Sequence, residues 1–191
     1  SPKIDVWGIS DKNLFLESNK VLSKQEKPFF AVIQTADNHR PYTIPKEDRL
    51  NIKMRCFPKD TLDKYGFWTN EELNAYAYMD YTYKIFMEAA AKEKYFNNTI
   101  FIFVGDHGIR GIAGDMMPKV WTDQSLTLQH VPMLFYAPGK IQPQVIERKV
   151  SQVDIMPTIA GLINKPVTNT TMGRNIFALP PSSDSDYINN H

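Results

Sequence analysis

An α/β fold with a mostly parallel sheet is predicted for this 191-residue chain by the order of its patterns and by how one strand ends. A long helical pattern over Asn70 to Tyr95 runs into an apolar strand pattern over Thr99 to Val104, the alternation typical of parallel sheets. That strand alternates β-branched and aromatic side chains without a polar interruption, which predicts burial on both faces. It then stops on Gly-Asp-His-Gly, residues 105–108. Ligand sites in open α/β sheets lie beyond the carboxyl ends of strands, so Asp106 and His107 are expected at the rim where chemistry takes place. The flanking glycines are expected to free the backbone for a sharp turn. Such a pair is best explained as two ligands of one divalent metal ion.

The other elements follow in order. Asp11 to Gln25 places Leu14, Phe15, Ser18, Val21 and Leu22 at helical spacing, with Ser10 or Asp11 as the N-cap. Lys27-Pro28 ends it, and Phe29 to Gln34 (FFAVIQ) is expected as a strand. Thr35 to Asp48 is a polar, Pro-containing loop carrying His39 and Arg40, and Leu50 to Phe67 reads as irregular. In the long helix, Asn70 is the expected cap, Glu71 and Glu72 suit its positive end, and Leu73, Tyr76, Tyr83, Met87 and Ala90 form the expected apolar stripe. Ile109 to Leu128 reads as a long loop, and Val131 to Tyr136 as a strand whose early Pro132 is tolerable. Gln144 to Val150 is a candidate edge strand, and Ser151 to Ile163 a helix capped by Ser151 and interrupted by Pro157.

Composition narrows the partners. Lys plus Arg number 22 and Asp plus Glu 21, a net charge of +1 that makes no electrostatic case for nucleic acid. No apolar run approaches the roughly 20 residues needed to cross a bilayer. A single cysteine, Cys56, excludes an internal disulfide. Both ends read as cut: the chain opens on SPKIDVWG and closes on a polar tail over 178–191. The expectation is one domain over 1–191.

The ordered set WGISD (Trp7 to Asp11), PFFAVIQTADNHRPY (Pro28 to Tyr42), NNTIFIFVGDHG (Asn97 to Gly108), HVPMLFYAPG (His130 to Gly139) and QVDIMPTIAGL (Gln152 to Leu162) resembles the C-terminal half of sulfatase-type enzymes of the alkaline phosphatase superfamily. Within that group the similarity is to lipoteichoic acid synthases and related phosphoglycerol transferases. The resemblance implies part of a three-layer α/β/α sandwich with a mostly parallel mixed sheet, and makes the chain the C-terminal part of a sulfatase-type catalytic domain. It implies that Asp106 and His107 ligate a divalent metal that also holds the nucleophile and the substrate. One acid and one imidazole suit Mn2+ or Zn2+ better than Ca2+; Mn2+ is favoured, with Zn2+, Mg2+ or Ca2+ as alternatives. The remaining ligands are expected in an N-terminal part outside this chain.

The resemblance also gives His39 a catalytic and substrate-binding role, donating to a developing oxyanion or protonating the leaving alkoxide. Arg40 is a candidate substrate ligand, since a guanidinium pairs with an anion in a forked geometry, or else a solvated loop charge. His130 precedes a strand start and would lie at the rim opposite Asp106 if the strands are parallel, unless the long preceding loop folds back over the site. Asp80 is expected to meet a tyrosine hydroxyl or cap a loop, while Arg110 and Trp121 lie where they could shape a pocket. Nothing in residues 1–38 matches the family's Thr, Ser or formylglycine nucleophile or its upstream acidic metal ligand. The run around Cys56 (RCFPKD) lacks the arginine of the formylglycine signature and follows the His39 loop instead of preceding it.

The expected function is therefore that of a C-terminal fragment of an enzyme acting on anionic phosphate or sulfate esters, lipid headgroups or glycans. Phosphoglycerol or phosphoethanolamine-type transfer, or phosphodiester cleavage, is preferred. The alternatives are sulfuric ester hydrolysis and a non-catalytic module binding an anionic glycan or headgroup. Without the nucleophile, the fragment alone is expected to be inert. By analogy the parent is expected to be membrane-anchored upstream of Ser1 and to face the periplasm or cell surface.

Overall fold

The computed structural model describes residues 3–109, 111, 112, 114 and 116–178. It divides after Ile141 into two compact units. The first is built on two helices, α1 (Asp11–Leu22) and α3 (Asn70–Ala90). Ser10 caps α1, its side chain accepting the Asn13 N–H. Between them lie a 3-10 turn, Lys46–Asp48, and a short helix, α2 (Lys59–Lys64), inside the stretch expected to be irregular.

A Phe15, Phe86, Ala90 and Phe101 cluster forms the apolar centre, and Phe15 stacks on Phe86 with ring centroids 4.8 Å apart. Each fully buried phenylalanine contributes about 1.5–3 kcal/mol. The buried stripe of α3 differs from the expected one. It runs through Ala75, Tyr78, Thr82, Phe86 and Ala90, while Tyr83 and Met87 are only partly buried. Polar side chains explain the rotation, because several are buried with partners that hydropathy does not register. Asn74 Oδ1 accepts the Arg55 N–H at 2.8 Å and its Nδ2 donates to the Arg55 carbonyl at 2.8 Å, so an amide substitutes for a strand neighbour. The cap is Thr69, not Asn70; Asn70 holds Phe57 by the same two-way pairing. Asp80 meets neither expected role and is exposed.

Strand β1 (Phe101–Val104) pairs with β2 (Met133–Tyr136), with Phe101 opposite Tyr136 and Val104 opposite Met133. The pairing is antiparallel, and it is the only ladder among the described residues. Only Phe101 of β1 is fully buried, and Val104 is exposed, so burial on both faces is not observed. In Phe29 to Gln34 only Ile33 packs against the core while Phe30 and Val32 are exposed, and the segment has no ladder partner and forms no strand. Gln144 to Val150 likewise forms no strand. The expected loop after β1 contains two single-turn helices, α4 (Val120–Asp123) and α5 (Leu126–Gln129).

The second unit is described as far as Ala178; a 3-10 turn, Gln152–Asp154, leads into α6 (Ile155–Leu162). The buried Asp154 carboxylate accepts the Ser151 N–H at 2.9 Å and the Arg174 N–H at 2.7 Å. Buried Thr158 accepts the Ile176 N–H at 3.1 Å, so two side chains lash the returning segment to the helix. Pro157 has no N–H for the Val153 carbonyl four residues back. Gly173 lies against that carbonyl, where a Cβ would collide with it.

Candidate metal and substrate site

Two segments deliver the candidate side chains, and their aromatic contacts show that they run the same way. Tyr95 meets Phe29 at 5.8 Å and Phe101 at 6.5 Å, at the start of each segment. Tyr83 meets Phe103 at 5.2 Å and lies beside the Thr35 side chain, at the end of each. The loops that follow, one with His39 and Arg40 and one with Asp106 and His107, therefore leave the core at the same end.

Asp106 and His107 are both exposed, with 78% and 58% of their side chains accessible. The His107 N–H donates to Asp106 Oδ1 at 2.9 Å, and Nε2 lies 3.8 Å from Oδ2. His107 Nδ1 lies 2.7 Å from the Gly108 carbonyl. A carbonyl only accepts, so Nδ1 carries a proton, which leaves Nε2, on the carboxylate side, as the ring nitrogen free to ligate. That is how a metal-binding imidazole is oriented, by a carbonyl partner on its other nitrogen. The donor set fits a divalent cation of intermediate hardness. Among the described residues no third His, Cys, Asp or Glu joins the pair to complete a cage.

The glycines serve a different purpose from the one expected. Neither Gly105 nor Gly108 has a positive φ. Both are needed for close approach: a Cβ on Gly105 would press on the Val131 side chain, and one on Gly108 would strike the Thr127 carbonyl. This crowding arises because the chain continues to pair past β1. The Gly105 N–H donates to the Pro132 carbonyl at 3.2 Å, and the Gly108 N–H to the Leu128 carbonyl at 2.7 Å. His130 lies between those two acceptors and so sits across from Asp106 and His107. An opposite rim was expected for His130 only if the strands were parallel, and the pairing is antiparallel. Trp121 packs edge-on against the His130 ring at 5.0 Å. Arg110 lies outside the described residues.

His39 and Arg40 are exposed in a tight loop in which the His39 N–H donates to the Ala36 carbonyl and the Tyr42 N–H to the His39 carbonyl. The loop is anchored by reciprocal carboxylates. Asp11 accepts the N–H groups of Ala36 and Asp37, and Asp37 accepts the Asp11 N–H at 2.7 Å. Burial raises both carboxyls, Asp37 to about 7; repulsion from Asp11 adds to the rise at Asp37 and repulsion from Asp5 to the rise at Asp11. Nearby, buried Asp48 accepts the Tyr78 hydroxyl at 2.8 Å and pairs with Lys12. Two side chains not singled out by sequence stand against the loop. Trp7 packs on the His39 ring at 4.2 Å, and the Arg40 guanidinium lies 5.7 Å from the Trp68 ring centroid. Neither is near the loop in sequence, so no local signal marks them. Cys56 is a free, exposed thiol.

Residues 1–165 match the sulfatase family model. The lipoteichoic acid synthase-like protein YvgJ of Bacillus subtilis is 29% identical over 166 residues, covering 82% of this chain and 26% of that protein. An ulvan-active sulfatase of Formosa agariphila is 25% identical over 205 residues, covering 97% of this chain and 39% of that protein. A solved structure of an alkaline phosphatase superfamily protein from Vibrio parahaemolyticus superposes with a TM-score of 0.71 at 28% identity, covering 94% of this chain and 40% of that one. The fold class is thus α/β of the alkaline phosphatase type, and the chain spans about a quarter of the length of its lipoteichoic acid synthase-like relative. On the strength of the family match and this superposition, the chain belongs to the sulfatase family of the alkaline phosphatase superfamily.

Proposed function

We propose that this chain is the C-terminal part of a divalent-metal-dependent enzyme that transfers or cleaves phosphate esters, with phosphoglycerol or phosphoethanolamine-type transfer as the preferred reaction. The observation that carries the reading is the Asp106–His107 pair, with Nδ1 tied to the Gly108 carbonyl and Nε2 turned toward the carboxylate. Similarity to a lipoteichoic acid synthase-like protein supports the phosphoglycerol preference. Similarity to an ulvan-active sulfatase favours a second reading, sulfuric ester hydrolysis on a glycan. A third, a module that binds an anionic glycan or headgroup without turnover, shares the same surface.

In this reading Asp106 and His107 hold the cation, Mn2+ in preference to Zn2+, Mg2+ or Ca2+, with further ligands from outside this chain. Bound there, it supplies Lewis acidity and cancels charge on the ester. His39 donates a hydrogen bond or a proton to the leaving oxygen, and Arg40 takes the non-bridging oxygens in a fork. The attacking hydroxyl belongs to the part of the protein N-terminal to this chain. The family resemblance also supports an upstream membrane anchor and an extracytoplasmic site; no helix among the described residues is long and apolar enough to cross a membrane.

The test uses the full-length protein. Asp106→Ala should abolish Mn2+-dependent turnover and Mn2+ binding together. His39→Ala should lower turnover by about 10²–10⁴-fold while leaving Mn2+ affinity nearly unchanged. Equal losses of both in His39→Ala would refute its role at the ester, and metal-independent activity in Asp106→Ala would remove the metal from the mechanism. Parallel assays with a phosphodiester and a sulfate monoester separate the first two readings, and ester binding without turnover identifies the third.

A further inference from the structure

Half of Trp7 and 56% of Trp68 are solvent-exposed, an unfavourable place for two large apolar rings, yet both are held firmly. Trp7 sits in a tight turn closed by the Ile4 N–H on the Gly8 carbonyl at 2.7 Å, and its own N–H donates to Asp5 Oδ1 at 2.8 Å. Its indole Nε1–H then donates to the Arg40 carbonyl at 2.7 Å while the ring covers His39. Trp68 is fixed from the other side. Its backbone N–H donates to Oε2 of the buried Glu72 at 2.7 Å, and Glu72 Oε1 accepts the Tyr42 hydroxyl at 3.4 Å. One buried carboxylate therefore ties the Trp68 backbone to the same loop whose guanidinium lies over the Trp68 ring.

A flexible loop that must present an imidazole and a guanidinium to an ester loses rate if either wanders, since misplacement by an ångström costs on the order of 100-fold. An indole against each side chain removes that freedom, and its quadrupole favours a cation over its face. Resting on the reading of His39 and Arg40 given above, we propose that Trp7 and Trp68 are positioning residues. Trp7 holds His39 for the turnover step, and Trp68 holds Arg40 for capture of the anionic ester.

Double-mutant cycles in the full-length enzyme test this, using bis(p-nitrophenyl) phosphate or p-nitrophenyl sulfate, whichever is turned over. Trp7→Ala should lower kcat by about 10–100-fold with KM little changed. It should cost almost nothing further in a His39→Ala background. Trp7→Phe, which keeps a ring over the imidazole but loses the bond to the Arg40 carbonyl, should recover part of kcat. Trp68→Ala should instead raise KM with kcat retained, and add nothing to Arg40→Ala. Should Trp7→Ala fail to fold, Trp7→Phe carries the same cycle, its smaller loss again confined to the His39-containing background. Equal penalties with and without His39 overturn the proposal and leave the site reading intact. A His39→Ala enzyme as fast as wild type overturns the site reading, and this inference with it.

Discussion

At the scale of single residues, two positions combine local chemistry with constraints imposed from far away in the chain. Gly108 lends its carbonyl to His107 Nδ1 and has no room for a Cβ beside the Thr127 carbonyl. Gly108→Ala must shift this backbone and with it the imidazole. Mn2+ affinity measured by calorimetry on the full-length protein should fall about 10–100-fold, as for other changes to the partner of a metal-bound histidine. Unchanged affinity would mean that His107 is not a ligand. Asp37 concerns protons. Its pKa of about 7 in the folded chain exceeds the ordinary aspartate value of 3.8, so between those values the folded chain keeps a proton that the unfolded chain has lost. Stability contributed by that proton is fully present below about pH 4 and disappears as pH rises to 7. Asp37→Asn keeps an oxygen for the Asp11 N–H and cannot ionise. Above pH 7 its Tm should exceed that of the wild type, and its dependence on pH across this window should be weaker. A wild-type Tm that does not fall from pH 4 to 8 contradicts the account.

Among the elements, polar side chains do the joining that a larger sheet would otherwise do. Asn70 and Asn74 of α3 pair with the backbone of residues 55–57 as a neighbouring strand would, and Asp154 and Thr158 do the same for residues 174–176 beside α6. Asp154→Ala leaves the Ser151 and Arg174 N–H groups without their buried acceptor, at a cost of about 2–4 kcal/mol. Faster proteolytic cleavage within residues 142–178 of the folded protein would register the loss. Cleavage at the wild-type rate would show that water replaces the carboxylate. The same logic explains why the α3 stripe was misplaced from sequence. Tyr78 and Thr82 are fully buried, and the neighbouring Glu72 and Asn74 nearly so, where they meet hydrogen-bond partners that no hydropathy pattern encodes.

For the molecule as a whole, two candidate metal ligands, a histidine and an arginine lie at one end of the core, and no group of three or more His, Cys, Asp or Glu side chains that could hold a metal is found among the described residues. The chain produced alone should show no ester cleavage above the buffer rate with Mn2+ present, while the full-length protein turns over the same ester. Turnover by the isolated chain would require a nucleophile within it and would overturn the proposed division of labour. How much of this was legible in sequence depended on range. Helices α1, α3 and α6 and strands β1 and β2 were readable because capping residues and apolar periods act within a few residues of each other. The position of Asp106 and His107 just past β1 was readable because an apolar strand ending on Gly-Asp-His-Gly is a local signal. The antiparallel pairing that carries His130 across from them, the crowding that demands Gly105 and Gly108, and the indoles over His39 and Arg40 were settled by tertiary structure alone. Each depends on contacts between segments far apart in the chain, and a local pattern carries no information about which distant surface it will meet.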